Sequence, residues 1–92
     1  MSRDWVKPLL DACASNDLPT VNRLLERGGE DRVNAKDPQG YTPLCVASEL
    51  SHVDVVKVLL QHKANVNLAS IDGATPLLMA SQLGHVEVLK VL

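Results

Sequence analysis

Residues 40–59 read GYTPLCVASELSHVDVVKVL, and residues 73–92 return the same pattern as GATPLLMASQLGHVEVLKVL. Thr42 recurs as Thr75 and His52 recurs as His85, an interval of 33 residues in both cases. A fixed period of this size is typical of repeat proteins, in which each copy is one supersecondary unit that stacks on its neighbours. The sequence therefore predicts an array of similar units.

A degenerate copy lies nearer the N-terminus. Residues 12–25 match residues 47–60 at an interval of 35, whereas Val33-Asn34 matches Val66-Asn67 at 33. Two residues have therefore been inserted within residues 28–32, where glycine and charged side chains predict a surface loop.

Each unit is predicted to run as a turn, a helix, a second turn and a second helix. Residues 37–40 read Asp-Pro-Gln-Gly, a turn signature, and Thr42-Pro43 is a helix start with an N-cap hydroxyl and proline at the first helical position. Gly84, or Ser51 in the earlier unit, ends the first helix. The core is predicted from one face of each helix, comprising Leu44, Ala47 and Ser48, then Val55, Val56, Leu59 and Leu60.

These motifs resemble the ankyrin repeat over residues 5–92: Gly-x-Thr-Pro-Leu, then Ala-Ser, then Gly-His-Val-Glu-Val-Leu-Lys-Val-Leu, with Ala-Asn-Val-Asn closing the second unit. The resemblance implies an all-α ankyrin-repeat solenoid of stacked antiparallel helix pairs with short β-turn or hairpin tips. Residues 1–92 are expected to form one domain. Its units are a degenerate N-terminal repeat at about 5–36, a second repeat at 37–69 and a truncated third repeat at 70–92.

Three departures from the family pattern carry expectations. The first unit lacks the Gly-x-Thr-Pro-Leu start, and Trp5 is expected to cover the end of the stack rather than to bind a partner. The family's usual histidine after Thr-Pro-Leu is Cys45 in one unit and Leu78 in the other, which puts the rigidity of the array in doubt. Ser70 stands where the second unit has Asp37, so its turn lacks a carboxylate that could bond the backbone.

The third unit stops at Leu92, within its second helix. Nothing would lie beyond Val88, Leu89, Val91 and Leu92, which should leave an apolar patch, because repeat arrays normally end in a polar capping unit. Two hypotheses follow: the chain is the N-terminal part of a longer array, or its open end pairs with another copy.

Composition and charge narrow the function. The 11 acidic residues against 9 Lys and Arg give a net charge of −2, without the basic clusters that nucleic-acid binding requires. No apolar run approaches the roughly 20 residues of a membrane span, and the N-terminus has no signal-peptide pattern. Cys13 and Cys45 are too far apart in sequence for a Cys-x-x-Cys motif and are predicted to be free, buried thiols, so an intracellular location, cytoplasmic or nuclear, is expected.

No catalytic set emerges. The histidines offer no zinc spacing with Cys13 and Cys45, and there is neither a nucleophile elbow nor a phosphate-binding loop. His52 and His85 are expected to be structural. The chain is therefore predicted to be a non-catalytic protein without cofactor or metal.

The resemblance implies a protein partner on the concave face and the turn tips. The matching positions are Lys36, Pro38, Gln39, Tyr41, Glu49, Leu50, Ile71, Asp72, Ala74, Gln82 and Leu83. Leu50 and Leu83 lie 33 residues apart and should form an apolar row with a polar rim, as in an interface core. Two alternatives stay open: these leucines fold back to shield the crease between helices, or the chain is a structural N-terminal cap for an array whose working part lies beyond residue 92.

Overall fold

A computed structural model describes residues 4–28 and 30–92 of the chain. These residues form seven helices and no strand. In chain order they are α1 (Val6–Ala14), α2 (Leu18–Gly28), α3 (Glu30–Val33), α4 (Pro43–Glu49), α5 (Val53–Gln61), α6 (Pro76–Leu83) and α7 (Val86–Val91). The prediction of an all-α fold is confirmed, and the tips of the units are turns rather than paired strands.

The helices stack in two layers. Helix α4 packs between α1 and α6, and α5 packs between α2 and α7. Within each unit the two helices also contact one another, as α1 with α2, α4 with α5, and α6 with α7. The arrangement is the helix-pair solenoid that the 33-residue period predicts.

The first helix of the second and third units begins as the sequence predicts. The Thr42 and Thr75 side chains accept hydrogen bonds from the backbone N–H groups of Cys45 and Leu78, both at 3.2 Å. A proline follows each threonine at the start of the helix. The helix ends also correspond, because Ser51 and Gly84 both adopt left-handed backbone angles, with φ of 61° and 71°.

The core lies between the two layers. Leu44, Ala47 and Ser48 are buried on α4, and the apolar stripe of α5 is fully buried at Val55, Val56 and Leu59. Leu60 is half-buried, while Lys57 and Gln61 on the opposite face are exposed. The amphipathic pattern thus identifies the buried face of both helices.

The expected surface loop at residues 28–32 is wrong at both ends, because Gly28 belongs to α2 and α3 (Glu30–Val33) forms beyond it, while Gly29 lies outside the described residues. Arg32 connects α3 to the rest of the first unit. Its guanidinium donates to the carbonyl of Leu24 at 3.0 Å and lies 4.8 Å from the centre of the Trp5 ring. Trp5 is half-buried against the core at this end of the stack, as its expected covering role requires.

Two histidines link successive units. Nδ1 of His52 lies 2.9 Å from the carbonyl oxygen of Cys13 on α1, and Nε2 of His85 lies 2.7 Å from that of Glu49 on α4. Each ring therefore satisfies a carbonyl near the end of the preceding unit's first helix, where helical partners run out. The structural role expected for both residues is confirmed by this geometry.

Two further polar contacts involve Cys45, which occupies the position of the family's usual histidine, and Asn34. The Cys45 thiol donates to the carbonyl of Leu68, at 3.7 Å between sulfur and oxygen, in the segment that leads to the third unit. The Asn34 side chain accepts the backbone N–H of Asn65 at 2.7 Å and joins the ends of the first two units.

Candidate functional site

The turn of the second unit is fixed by its own aspartate. The Asp37 carboxylate accepts the backbone N–H groups of Gln39 and Tyr41, both at 2.9 Å, and the N–H of Gly40 closes the turn on the Asp37 carbonyl. Gly40 has a φ of 81°, a conformation that favours glycine. The turn therefore presents the side chains of residues 38, 39 and 41 from a rigid base.

The turn of the third unit keeps the same backbone bonds with a different side chain. Gly73 N–H bonds the Ser70 carbonyl at 2.9 Å, and Ser70 N–H bonds the Ala74 carbonyl at 3.0 Å. The Ser70 hydroxyl donates to the Asp72 carboxylate, and this bond, with the backbone N–H of Ala74, lowers the pKa of Asp72. The expectation that this turn lacks a carboxylate partner was wrong, because Asp72 supplies it from two residues further on.

The two turns lie side by side. The backbone N–H of Ile71 donates to the Gln39 carbonyl at 2.9 Å, a direct bond between successive turns. Gln39, Tyr41, Ile71 and Asp72 line an open cleft of ≈ 330 Å³ between them. The structure thus brings together four of the residues that the family pattern assigned to binding.

Tyr41 connects the turns to helix α4. The negative charge of Glu49 raises the pKa of the Tyr41 hydroxyl, which burial and a hydrogen bond to the same carboxylate raise further, and Asp72 adds to the effect. Tyr41 therefore stands between two acids, one on α4 and one on the next turn. The Tyr41 side chain thus offers a partner an apolar ring and a polar hydroxyl, with two negatively charged carboxylates nearby.

The two leucines of the predicted row are exposed. Leu50 leaves 46% of its surface in water at the end of α4, and Leu83 leaves 55% at the end of α6. This exposure disagrees with the alternative in which they fold back to shield the crease between helices. Since α4 and α6 pack on one another, the equivalent ends of the two helices belong to one surface.

The remaining predicted positions surround these groups. Lys36, Pro38 and Gln82 are exposed, and Ala74 is half-buried. We call the whole set of predicted binding residues the turn-side face: Lys36, Pro38, Gln39, Tyr41, Glu49, Leu50, Ile71, Asp72, Ala74, Gln82 and Leu83. It combines the cleft at the turns, where Ile71 is exposed among polar side chains, with two exposed leucines at the helix ends.

A second depression lies at the N-terminal end of the turn-side face. This N-terminal groove has a volume of ≈ 860 Å³, and the residues that line it are Asp4, Val6, Lys7, Pro8, Leu10, Asp11, Asp37 and Pro38. The sequence analysis missed this groove, since its predicted binding positions begin at Lys36 and only Pro38 among them lines the groove. The absence of the Gly-x-Thr-Pro-Leu start from the first unit could have indicated the groove. Without that motif, no matching turn is predicted beside the turn of the second unit.

The described residues show no metal or thiol site. Within residues 4–28 and 30–92, no three of the histidines, cysteines and acids lie close enough to hold a metal ion. Cys13 and Cys45 are both free and buried, and burial raises the pKa of the Cys13 thiol to about 12. A thiol held in its protonated form is unreactive, since the thiolate is the nucleophile. None of the described helices is long and apolar enough to cross a membrane.

Comparison with known proteins agrees with the fold. The family model for ankyrin repeats (3 copies) matches residues 9–92. Ankyrin repeat domain-containing protein 49 of Bos taurus is 41% identical over 71 residues, which cover 77% of this chain and 29% of that protein. The mitochondrial disaggregase of Homo sapiens is 43% identical over 60 residues, covering 65% of this chain and 8% of that protein. The chain thus spans less than a third of the length of these relatives.

Proposed function

We propose that this chain, which belongs to the ankyrin repeat family, is a non-catalytic module that binds a protein partner through its turn-side face. Ankyrin repeats are generally protein–protein interaction modules, and the family is typically non-enzymatic. The fold alone names no ligand, so the proposal is argued from the surface of this chain.

One observation carries the proposal: Leu50, Ile71 and Leu83 are exposed on the turn-side face, at 46%, 78% and 55% of their surfaces. A single exposed leucine is ordinary on a protein surface. Here Leu50 and Leu83 occupy repeated positions next to polar side chains, including Glu49, which is the arrangement of an interface core within a polar rim. Tyr41 adds an aromatic side chain of the type that is enriched among energetically important interface residues.

The test is capture of proteins from a cell lysate by three forms of the chain. The natural chain is compared with Leu50→Asp/Leu83→Asp and with a matched control, Pro19→Asp/Gln61→Asp. The control adds the same charge at exposed positions on the second-layer helices α2 and α5. Circular dichroism first establishes that both variants are helical.

We expect the natural chain and the control to retain the same protein, and the Leu50→Asp/Leu83→Asp variant to lose it. The proposal fails if all three retain the same proteins, or if none of them retains any.

A second candidate function is to begin a longer array, and it rests on a different surface. Leu44 and Cys45, covered by the third unit, are 1% and 0% exposed, whereas their counterparts Leu77 and Leu78 are 53% and 43% exposed. Val86 on α7 is exposed as well, at 56%, whereas Val88, which the sequence predicted to be bare, is buried, and Leu89, Val91 and Leu92 are half-buried. We call Leu77, Leu78 and Val86 the end face; their counterparts Leu44, Cys45 and Val53 in the second unit are buried or half-buried, as expected where a further unit covers them.

The end face predicts either stacking of another repeat unit or self-association of the chain. The natural chain should bind a hydrophobic dye and show a mass that rises with concentration in sedimentation equilibrium, and Leu77→Lys/Leu78→Lys should reduce both. A natural chain that stays monomeric, unfolds sharply and binds no dye argues against this second role.

We also propose that the protein works inside the cell. The two buried, unlinked thiols support this compartment, since cysteines in secreted small domains usually form disulfides.

A further inference from the structure

The N-terminal groove is built from an apolar floor. Val6 and Leu10 on α1 are half-buried and buried, respectively, and the exposed Pro8 and Pro38 also line the groove. Proline rings and aliphatic side chains offer no hydrogen bonds, so a ligand gains from this floor by burying an apolar side chain.

Acidic residues line the edges of the same groove. Among the described residues that line it, Asp4, Asp11 and Asp37 carry carboxylates and Lys7 carries an ammonium group, whose Nζ lies 3.0 Å from the Asp11 carboxylate. These lining residues therefore carry a net negative charge. The neighbouring cleft extends this sign, because Tyr41 there stands beside Glu49 and Asp72. Phosphate-bearing ligands are disfavoured at such a surface, and cationic groups are attracted to it.

Pro38 limits what can cover the groove from within the repeat stack. Its counterpart in the third unit, Ile71, donates its backbone N–H to Gln39 in the turn before it, at 2.9 Å. Proline has no N–H to donate. The second unit's turn thus cannot donate this hydrogen bond to a turn on its N-terminal side. A repeat turn placed over the groove would therefore lack the bond that joins the turns of the second and third units.

We propose that the N-terminal groove binds an extended peptide segment of a protein partner, with an apolar side chain against Val6, Leu10 and Pro38 and an adjacent arginine or lysine toward Asp4 and Asp11. The charge complementarity selects a basic partner segment, and the aliphatic floor selects the apolar residue beside it. This inference rests on the proposed function, since it extends the turn-side face and gives the chemistry of part of its partner.

The test uses a random heptapeptide library displayed on phage as the probe. The library is selected against the natural 92-residue chain, and the enriched sequence is synthesised with a fluorescent label for polarisation measurements. Enriched peptides should contain an aliphatic or aromatic residue within two positions of an arginine or lysine. Enrichment of acidic peptides, or no enrichment at all, would overturn the inference.

Two protein variants locate the binding. Asp4→Lys/Asp11→Lys reverses the charge of the groove at exposed positions, and Asp54→Lys/Glu87→Lys makes the same charge change on the second-layer helices α5 and α7. We expect the first to weaken peptide binding at least tenfold and the second to change it less than threefold. Equal affinity for the two variants contradicts the inference.

Changes in the peptide keep the test independent of protein stability. Replacing the basic residue or the apolar residue of the enriched peptide by serine should each weaken binding to the natural chain at least tenfold. The inference is wrong if either replacement is without effect.

The Leu50→Asp/Leu83→Asp variant separates this inference from the proposed function. It should lose the captured partner and still bind the heptapeptide, because those leucines do not line the groove. If the peptide is lost with this variant and retained by Asp4→Lys/Asp11→Lys, the peptide binds at the leucines and the groove inference falls while the proposed function stands. If capture persists in the leucine variant while peptide binding still depends on the groove acids, the role of the leucines falls and the groove inference stands.

Discussion

At the scale of the residue, the two turn glycines have similar backbone angles and different surroundings. Gly40 and Gly73 have φ of 81° and 86°, so any other residue is strained at both. A Cβ on Gly40 would also lie 2.9 Å from the backbone nitrogen of Ile71, whereas a Cβ on Gly73 would meet nothing within 4 Å. Substitutions at the two glycines therefore distinguish the cost of backbone strain from the cost of disturbing the contact between the turns.

Alanine at these positions should have unequal costs. Gly73→Ala should lower the free energy of unfolding by about 1 kcal/mol, the strain of a left-handed alanine. Gly40→Ala should lower it by about 3 kcal/mol, since backbone must also move apart. Urea denaturation measures both, and equal losses would show that the turns of the second and third units are not in contact.

The thiol of Cys13 makes stability depend on pH in the alkaline range. Burial raises its pKa from 9.0 to about 12, so the folded state holds a proton that the unfolded state releases first. The stabilisation is complete below pH 9 and is lost as the pH rises toward 12.

Between pH 9 and pH 10 the natural chain should lose about 1 kcal/mol more stability than Cys13→Ala, since one pKa unit corresponds to about 1.4 kcal/mol. The alanine variant serves as the control because it keeps Tyr41, which also has a raised pKa. Parallel pH profiles for the two proteins would contradict the assignment.

At the scale of the element, repeated positions predict helices well and insertions predict them poorly. The caps at Thr42 and Thr75 and the buried stripe of α5 follow from residues that recur at a period of 33. Helix α3 was missed because it occupies the insertion, where no second copy indicates which positions are buried. Its order depends on Arg32 and Trp5, a contact between residues far apart in sequence that no local pattern reveals.

Some features of the candidate site can likewise be predicted from the repeat pattern, and others cannot. The turn residues and the exposure of Leu50 and Leu83 follow from the repeat pattern. The pairing of Tyr41 with Glu49 and the replacement of the Asp37 carboxylate by that of Asp72 depend on distances that only the folded chain supplies. The unit boundaries at 36/37 and 69/70 and the binding roles stay predictions.

The bond between His85 and α4 gives a test at this scale. His85→Ala should lower the free energy of unfolding by about 1–2 kcal/mol, because the Glu49 carbonyl loses its partner 2.7 Å away. Hydrogen exchange should quicken in α6 and α7 more than in α1 and α2. A loss below about 0.3 kcal/mol, far under the value of an ordinary hydrogen bond, would show that the histidine does not couple the units.

At the scale of the whole molecule, stability and binding use separate surfaces. The buried residues lie between the two layers of helices, and the turn-side face carries exposed apolar groups that the fold does not use. The charge substitutions Leu50→Asp and Leu83→Asp should therefore leave the free energy of unfolding within about 0.5 kcal/mol of the natural value, as is usual for surface positions. The same substitutions should abolish partner binding.

Photo-crosslinking tests this central claim most directly. Leu50→benzoylphenylalanine places a light-activated group on the turn-side face, and Lys57→benzoylphenylalanine places it on the exposed side of α5, in the second layer. After irradiation in lysate, we predict a discrete adduct with one protein from position 50 and none from position 57. An adduct from position 57 alone, or the same adduct from both, would contradict the assignment of partner binding to the turn-side face.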